Sequence, residues 1–226
     1  MSGAVDRENE IFDTIREFNE VGLEFIVVGG YAVSAFQHRF SVDAALVVRE
    51  IDLDEFVEIL KDRSFEQVED RDLVYGGRFL AYEKDRELPV TIDLLVDSLQ
   101  CRQTDASWSY QYFNQNATSI EVRGSEKSVE VRIPERELLI AVKLHSGRLT
   151  DARDAVALAS NVDIEQLEKH LDRGDQKRLQ QVLEEVWGTI NSEDFEDAFK
   201  GVFQQQELPA DNIEKMRRFI QDKTDR

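Results

Sequence analysis

The spacing of apolar residues changes character at Pro134. Before it, short apolar runs and alternations dominate; after it, nearly every segment has helical periodicity. In 7–21, Ile11, Phe12, Ile15 and Phe18 recur at helical spacing, and Gly22 ends the stretch. Glu24–Val28 predicts a buried strand broken by Gly29-Gly30. Tyr31–Gln37 predicts a short helix and Ala44–Val48 a second strand. Asp52–Leu60 predicts a helix with acids in its first turn, where the macrodipole favours them. Strands are predicted at Phe65–Val68, Arg78–Tyr82 and Val90–Val96. Residues 102–116, polar and aromatic, predict a loop or a short helix. Ser119–Val122 and Val129–Ile133 alternate around Gly124-Ser125, as a hairpin does. Six helices are predicted beyond Pro134: Glu135–Ser146, Thr150–Ser160, Ile164–Leu171, Gln176–Thr189, Glu193–Gln205 and Asn212–Lys223. Asp163, Asp175 and Ser192 are the expected caps. The pattern predicts an α+β fold, with a mixed sheet and helices over 1–134 and an all-helical part over 135–226.

Composition narrows the setting. A chain of 226 residues can bury a proper core. It contains no run of about 18 apolar residues, so no membrane span is expected. Residues 1–10 lack the apolar centre of a signal peptide, so a cytoplasmic location is expected. Cys101 is the single cysteine, which excludes an internal disulfide and a cysteine-based zinc site. Three scattered histidines, His38, His145 and His170, do not suggest a histidine-rich metal site. The net charge of −19 is spread along the chain, and most of the 28 basic residues are arginine. Such surfaces resemble those of salt-loving organisms, where salt screens self-repulsion. At low salt this charge should repel nucleic acid, so any contact with it needs a local basic patch or strong screening.

Three positions suggest metal chemistry. Gly29-Gly30 follows a buried strand and opens a helix, which lets backbone N–H groups approach an anion. Alone, it is an ordinary strand-to-helix turn. Asp43 and position 45 are two apart on a strand and share a face. Paired carboxylates there could hold hard cations through oxygen. Asp93 lies in the apolar strand Val90–Val96, where an unpaired acid is unfavourable to bury.

Gly29-Gly30, Arg39-Phe40-Ser41 and Asp43-Ala44-Ala45, followed by the strand acid Asp93, resemble the signature of the polymerase-β-like nucleotidyltransferase superfamily. That signature has an aspartate where this chain has Ala45. A second group, Lys143 and Arg148 followed by Arg153-Asp154, is similar to the helical motif of AbiEii-like nucleotidyltransferases, the MenT type among them. The resemblance covers roughly residues 20–160. It implies a polymerase-β-like core over 1–134 and a helical domain, 135–226, that supplies basic contacts to the nucleotide. It also implies Mg²⁺ or Mn²⁺ on Asp43 and Asp93, an NTP substrate and an RNA acceptor, the 3′ end of tRNA. Gly29, Gly30, Arg39, Ser41, Lys143, Arg148 and Arg153 would contact the NTP, with Asp154 orienting a neighbour or the substrate. Asp93 could also take the acceptor's proton. The matching proteins are toxins of type IV toxin–antitoxin systems, so a cognate antitoxin is an implied partner.

Ala45 admits two explanations. The chain is a natural pseudoenzyme that binds a nucleotide or a partner without turnover, or an original aspartate has been replaced to silence the activity. The second is favoured because every other motif residue remains. A transferase acting on a small molecule or a protein is the further alternative.

Overall fold

A computed structural model of the chain describes residues 2–73, 76–204 and 207–224. The chain divides into two units, Met1–Leu99 with Trp108–Pro134, and Gln100–Ser107 with Glu135–Arg226.

In the first unit, helix α1 (Ser2–Glu20) buries Ile11, Phe12, Ile15 and Phe18 on one face. The four apolar residues of β1 (Phe25–Val28) are all buried. Helix α2 (Gly29–Ser34) begins at the first glycine and ends at Ser34, so it starts earlier and is shorter than the spacing of Tyr31–Gln37 suggests. Strand β2 (Asp43–Val48) follows. A 3-10 turn at Glu50–Asp52 leads into α3 (Leu53–Asp62), which buries Leu53, Phe56 and Leu60. Strands β3 (Glu66–Asp72), β4 (Arg78–Lys84) and β5 (Val90–Val96) complete a five-stranded sheet in the order β1-β2-β5-β4-β3. β2 and β5 run parallel at its centre and the remaining neighbours are antiparallel. β3 is exposed throughout, and its Glu-Gln-Val-Glu-Asp-Arg-Asp sequence puts charge on a sheet edge that would otherwise pair with another chain.

The polar-aromatic stretch holds the expected short helix, α4 (Tyr110–Gln115), whose N-terminus the Ser109 hydroxyl caps by accepting from the Tyr112 N–H; the spacing did not suggest the two short strands before it, β6 (Ser98–Cys101) just ahead of the stretch and β7 (Ala106–Ser109) within it. The hairpin β8 (Ala117–Arg123) and β9 (Ser128–Pro134) packs against β1 and α1.

The second unit is built from α5 (Arg136–Ser146), α6 (Leu149–Leu158), α7 (Ile164–Leu171), α8 (Gln176–Ile190), α9 (Phe195–Phe203) and α10 (Ala210–Thr224). Helix α5 is buried from Leu138 to His145 and packs against α6, α7 and α8. Asp163 and Asp175 cap α7 and α8 as expected. Ser192 does not cap: its hydroxyl donates back to the Thr189 carbonyl, and α9 begins later, after Asp194. The predicted end of that helix at Gln205 lies outside the described residues. Segment 100–107 joins this unit through polar ties. The Asp175 N–H donates to the Thr104 carbonyl, and Arg178 pairs with Asp105. The Thr104 hydroxyl lies 2.7 Å from His145 Nδ1. No described helix is long and apolar enough to cross a membrane.

Candidate active site

The register of the first unit's sheet assembles the site. Val28 pairs with Ala45, Ala45 with Asp93, and Asp93 with Ala81, giving one row across four strands. In β2, Asp43 and Ala45 are half-buried on either side of buried Ala44; in β5, Thr91, Asp93 and Leu95 are half-buried between buried neighbours. Residues paired in register share a face, so Asp43, Ala45 and Asp93 all lie on the partly open side of the sheet. That face continues over β4 and β3 with Glu83, Glu66 and Glu69, the last opposite Ala81.

Gly29-Gly30 closes one side of this face. Gly29 has φ +66°, a left-handed conformation that favours glycine, and a Cβ added there would sit 3.7 Å from Ala45 Cβ. A Cβ on Gly30 would meet Ser41 Oγ at 2.2 Å and Arg39 Nη2 at 3.0 Å, so only glycine fits beneath those side chains. The turn, Arg39 and Ser41 are therefore neighbours in space. Segment 37–41 is fastened to α2 by Ser34, whose hydroxyl donates to the Arg39 carbonyl at 2.6 Å and accepts the Arg39 N–H at 3.3 Å.

The Asp43 and Asp93 carboxylates make no hydrogen bond or ion pair among the described residues. Burial pushes the Asp93 carboxyl up to about 7, and the charges of Asp43 and then Glu69 push the same way, while Arg71 opposes them weakly. A carboxylate with no cation at hand, beside a second carboxylate, is what a divalent ion would relieve. The donor set suits a hard cation, but it is short by one group: Ala45 occupies the place opposite Asp93 where a further carboxylate would point. Among the described residues no cluster of three or more candidate ligands forms.

Lys143, Arg148, Arg153 and Asp154 belong to the second unit. Lys143, 4% exposed, places its Nζ 2.8 Å from Asp151 Oδ1 and 2.7 Å from Asp154 Oδ2. Both acids are 1% exposed, so the lysine's charge is already matched inside the unit. Arg148, mostly exposed, pairs with Asp151 at 2.7 Å, and the Asp151 carboxylate accepts the Arg148 N–H at the start of α6. The Lys143 and Arg148 charges hold the Asp151 carboxyl below its usual range against the opposing effect of burial. Arg153 donates to the Ala198 carbonyl at 3.3 Å. His145 is a core residue whose second ring nitrogen lies 3.0 Å from the Leu171 carbonyl, and burial lowers its pKa to about 4.

Glu8, His38 and Ser34 were not singled out by motif. Glu8 had one visible signal: it falls on the apolar stripe of α1 with Ile11, Phe12 and Ile15 and is 1% exposed.

No protein-family model matches this sequence, and no curated protein does. Solved structures do resemble it. JHP933 from Helicobacter pylori aligns over 100% of this chain and 93% of its own, with a TM-score of 0.55 and 14% identity. A proposed nucleotidyltransferase from H. pylori aligns over 100% and 96%, with a TM-score of 0.50 and 14% identity. ANT(2″)-Ia, solved with adenylyl-2″-tobramycin, aligns over 71% and 92%, with a TM-score of 0.51 and 14% identity. The chain has a nucleotidyltransferase fold. At this identity the likeness fixes architecture, and the chemistry rests on the residues.

Proposed function

We propose that this chain is built for nucleotidyl transfer: it binds an NTP with Mg²⁺ or Mn²⁺ and, in its active form with an aspartate at position 45, transfers the NMP to an acceptor. The observation that carries this reading is the row Ala45–Asp93 beside Asp43, with Gly29-Gly30 and Arg39-Ser41 at its edge. Asp43 and Asp93 would hold the cation. When bound, the ion polarises phosphoryl oxygens and neutralises developing charge. Gly29 and Gly30 present backbone N–H groups without a side chain in the way, and Arg39 and Ser41 offer donors to phosphate. By its position on the open face, Asp93 could also take the acceptor's proton. The resemblance to AbiEii-like enzymes assigns further phosphate contacts to Lys143, Arg148 and Arg153 and an orienting role to Asp154; of these, Lys143 is buried and closed on Asp151 and Asp154, so its part would be to hold α6, which carries Arg153, and not to touch phosphate. It also suggests the tRNA 3′ end as acceptor and an antitoxin as partner. Ala45 removes one carboxylate, so transfer is weakened or absent while nucleotide binding persists.

A second acceptor reading is favoured by charge. Glu66, Glu69 and Glu83 continue the face that carries Asp93, in a chain of net charge −19. Such a face attracts a cationic small molecule and repels a polyanion unless salt screens it. The ANT(2″)-Ia structure, with its adenylylated tobramycin, makes that class concrete.

The test is Ala45→Asp protein incubated in high salt with labelled NTPs and Mg²⁺, offered total tRNA in one arm and an aminoglycoside in the other. Label in tRNA supports the first acceptor, and label in the aminoglycoside supports the second. No label in either, with no nucleotide binding, contradicts the nucleotidyl-transfer reading.

A further inference from the structure

We propose that Glu8 and His38 form a positioning clamp that holds the Arg39–Ser41 segment over Gly30 and so sets the site's affinity for nucleotide phosphate; the proposal rests on the nucleotide reading above. The Glu8 carboxylate is buried, yet it makes two directional contacts. Its Oε2 accepts the Ser125 backbone N–H at 2.7 Å, and its Oε1 lies 3.2 Å from His38 Nε2. The second contact ties α1 to the segment that carries the phosphate donors, while the first ties α1 to the β8–β9 turn.

The fit on the turn side is close. A Cβ on Gly124 would meet Glu8 Oε2 at 2.4 Å, so the hairpin backbone is seated directly on the carboxylate. Asn9 adds a hydrogen bond to Glu126 at 2.7 Å, and Lys127 one to Asp13 at 2.6 Å, so the turn is a fixed platform. On the other side the His38 ring packs edge-on to Phe40, with centroids 5.3 Å apart. His38 precedes Arg39, and Phe40 lies between Arg39 and Ser41. Fixing both flanking rings fixes the two side chains that cover Gly30. Ser34 holds the same segment from α2, so it is gripped from two sides, by Glu8 at His38 and by Ser34 at Arg39. The Glu8 charge also bears on Tyr31, where burial first and Glu8 second raise the phenol's pKa.

An apolar residue would satisfy the α1 stripe without a buried charge, which is unfavourable unless paired and hydrogen-bonded. A carboxylate that binds two otherwise separate segments has a reason to be there. Ordered donors lose less entropy on binding phosphate than mobile ones.

The experiment measures Mg·NTP affinity by calorimetry on the full chain with Ala45 in place, using each of the four NTPs, for Glu8→Gln, His38→Gln, Arg39→Ala and the pairwise combinations with Arg39→Ala. Glu8→Gln and His38→Gln should each weaken binding about fivefold or more and have a clearly smaller effect in the Arg39→Ala background, because part of their effect passes through Arg39. His38 is partly exposed, so its variant remains informative if Glu8→Gln does not fold. Affinity unchanged by both variants, or losses that add fully to that of Arg39→Ala, would overturn the clamp. Arg39→Ala without effect would instead sink the nucleotide assignment. Hydrogen exchange then judges the clamp alone: the Arg39 amide should exchange faster in either clamp variant, and an unchanged rate overturns it.

Discussion

Two groups of carboxylates in this molecule have opposite surroundings. On the first unit's sheet, Asp43 and Asp93 are half-buried and have no cation, and Asp93 titrates near neutrality. In the second unit, Asp151 and Asp154 are fully buried around Lys143, and the Asp151 carboxyl titrates below its usual range. The residue type is the same, but one group lacks its counter-ion and the other carries it internally. Burial alone therefore does not mark a functional acid. The mark is a strained charge on an open face, where a ligand can supply what the protein leaves out.

The largest expected contrast comes from removing charge in each place. Lys143→Met would strand buried carboxylates and should cost about 3–5 kcal/mol in urea unfolding of the full chain. If it is neutral, the triad is not the second unit's electrostatic centre.

His145 extends the rule that this interior tolerates only matched or neutral groups. Its folded pKa, about 4, lies below the ordinary 6.5, so the unfolded state binds the proton more tightly. Stability should be intact above pH 6.5 and fall by about 1–3 kcal/mol as pH drops toward 4. His145→Gln should flatten that part of the pH profile, measured by thermal unfolding.

Asp93 should behave in the reverse sense. Its folded pKa of about 7 lies above the ordinary 3.8, so its favourable contribution is complete in acid and is lost as pH rises through 7. Asp93→Asn should be more stable than the parent at pH 8 by on the order of 1–2 kcal/mol, with the gain shrinking toward pH 4. A destabilised variant at pH 8 would mean that Asp93 is paired after all.

The smallest effect is proton release. Mg²⁺ binding at pH 7 should displace about half a proton from Asp93, read by calorimetry in buffers of different ionisation enthalpy. Asp43→Asn should abolish it.

Local pattern made much of this visible in the sequence. An acid within the apolar run Val90–Val96 already marks Asp93 as out of place in a core strand, and Gly29-Gly30 reads directly as a turn. Pairing of Ala45 with Asp93 was not legible, because β2 and β5 meet across more than forty residues of intervening chain. Segment 100–107 carries no apolar period of its own. Its strands depend on contacts with Asp175, Arg178 and His145, which are distant in sequence. Lys143 stands in the sequence as part of a basic nucleotide motif, and the acids that match its charge stand eight and eleven positions later, on the next helix. Glu8 was hidden because an acid in an apolar stripe shows its purpose only once its partners are placed.

On the proposed reading, position 45 is the missing third member of an otherwise prepared cation site. The direct measurement is Mn²⁺ affinity of the parent and of Ala45→Asp, followed by the paramagnetic resonance signal of free Mn²⁺. A site completed at that position should bind at least about tenfold more tightly, roughly 1.4 kcal/mol. Equal affinity in the two proteins would contradict the claim.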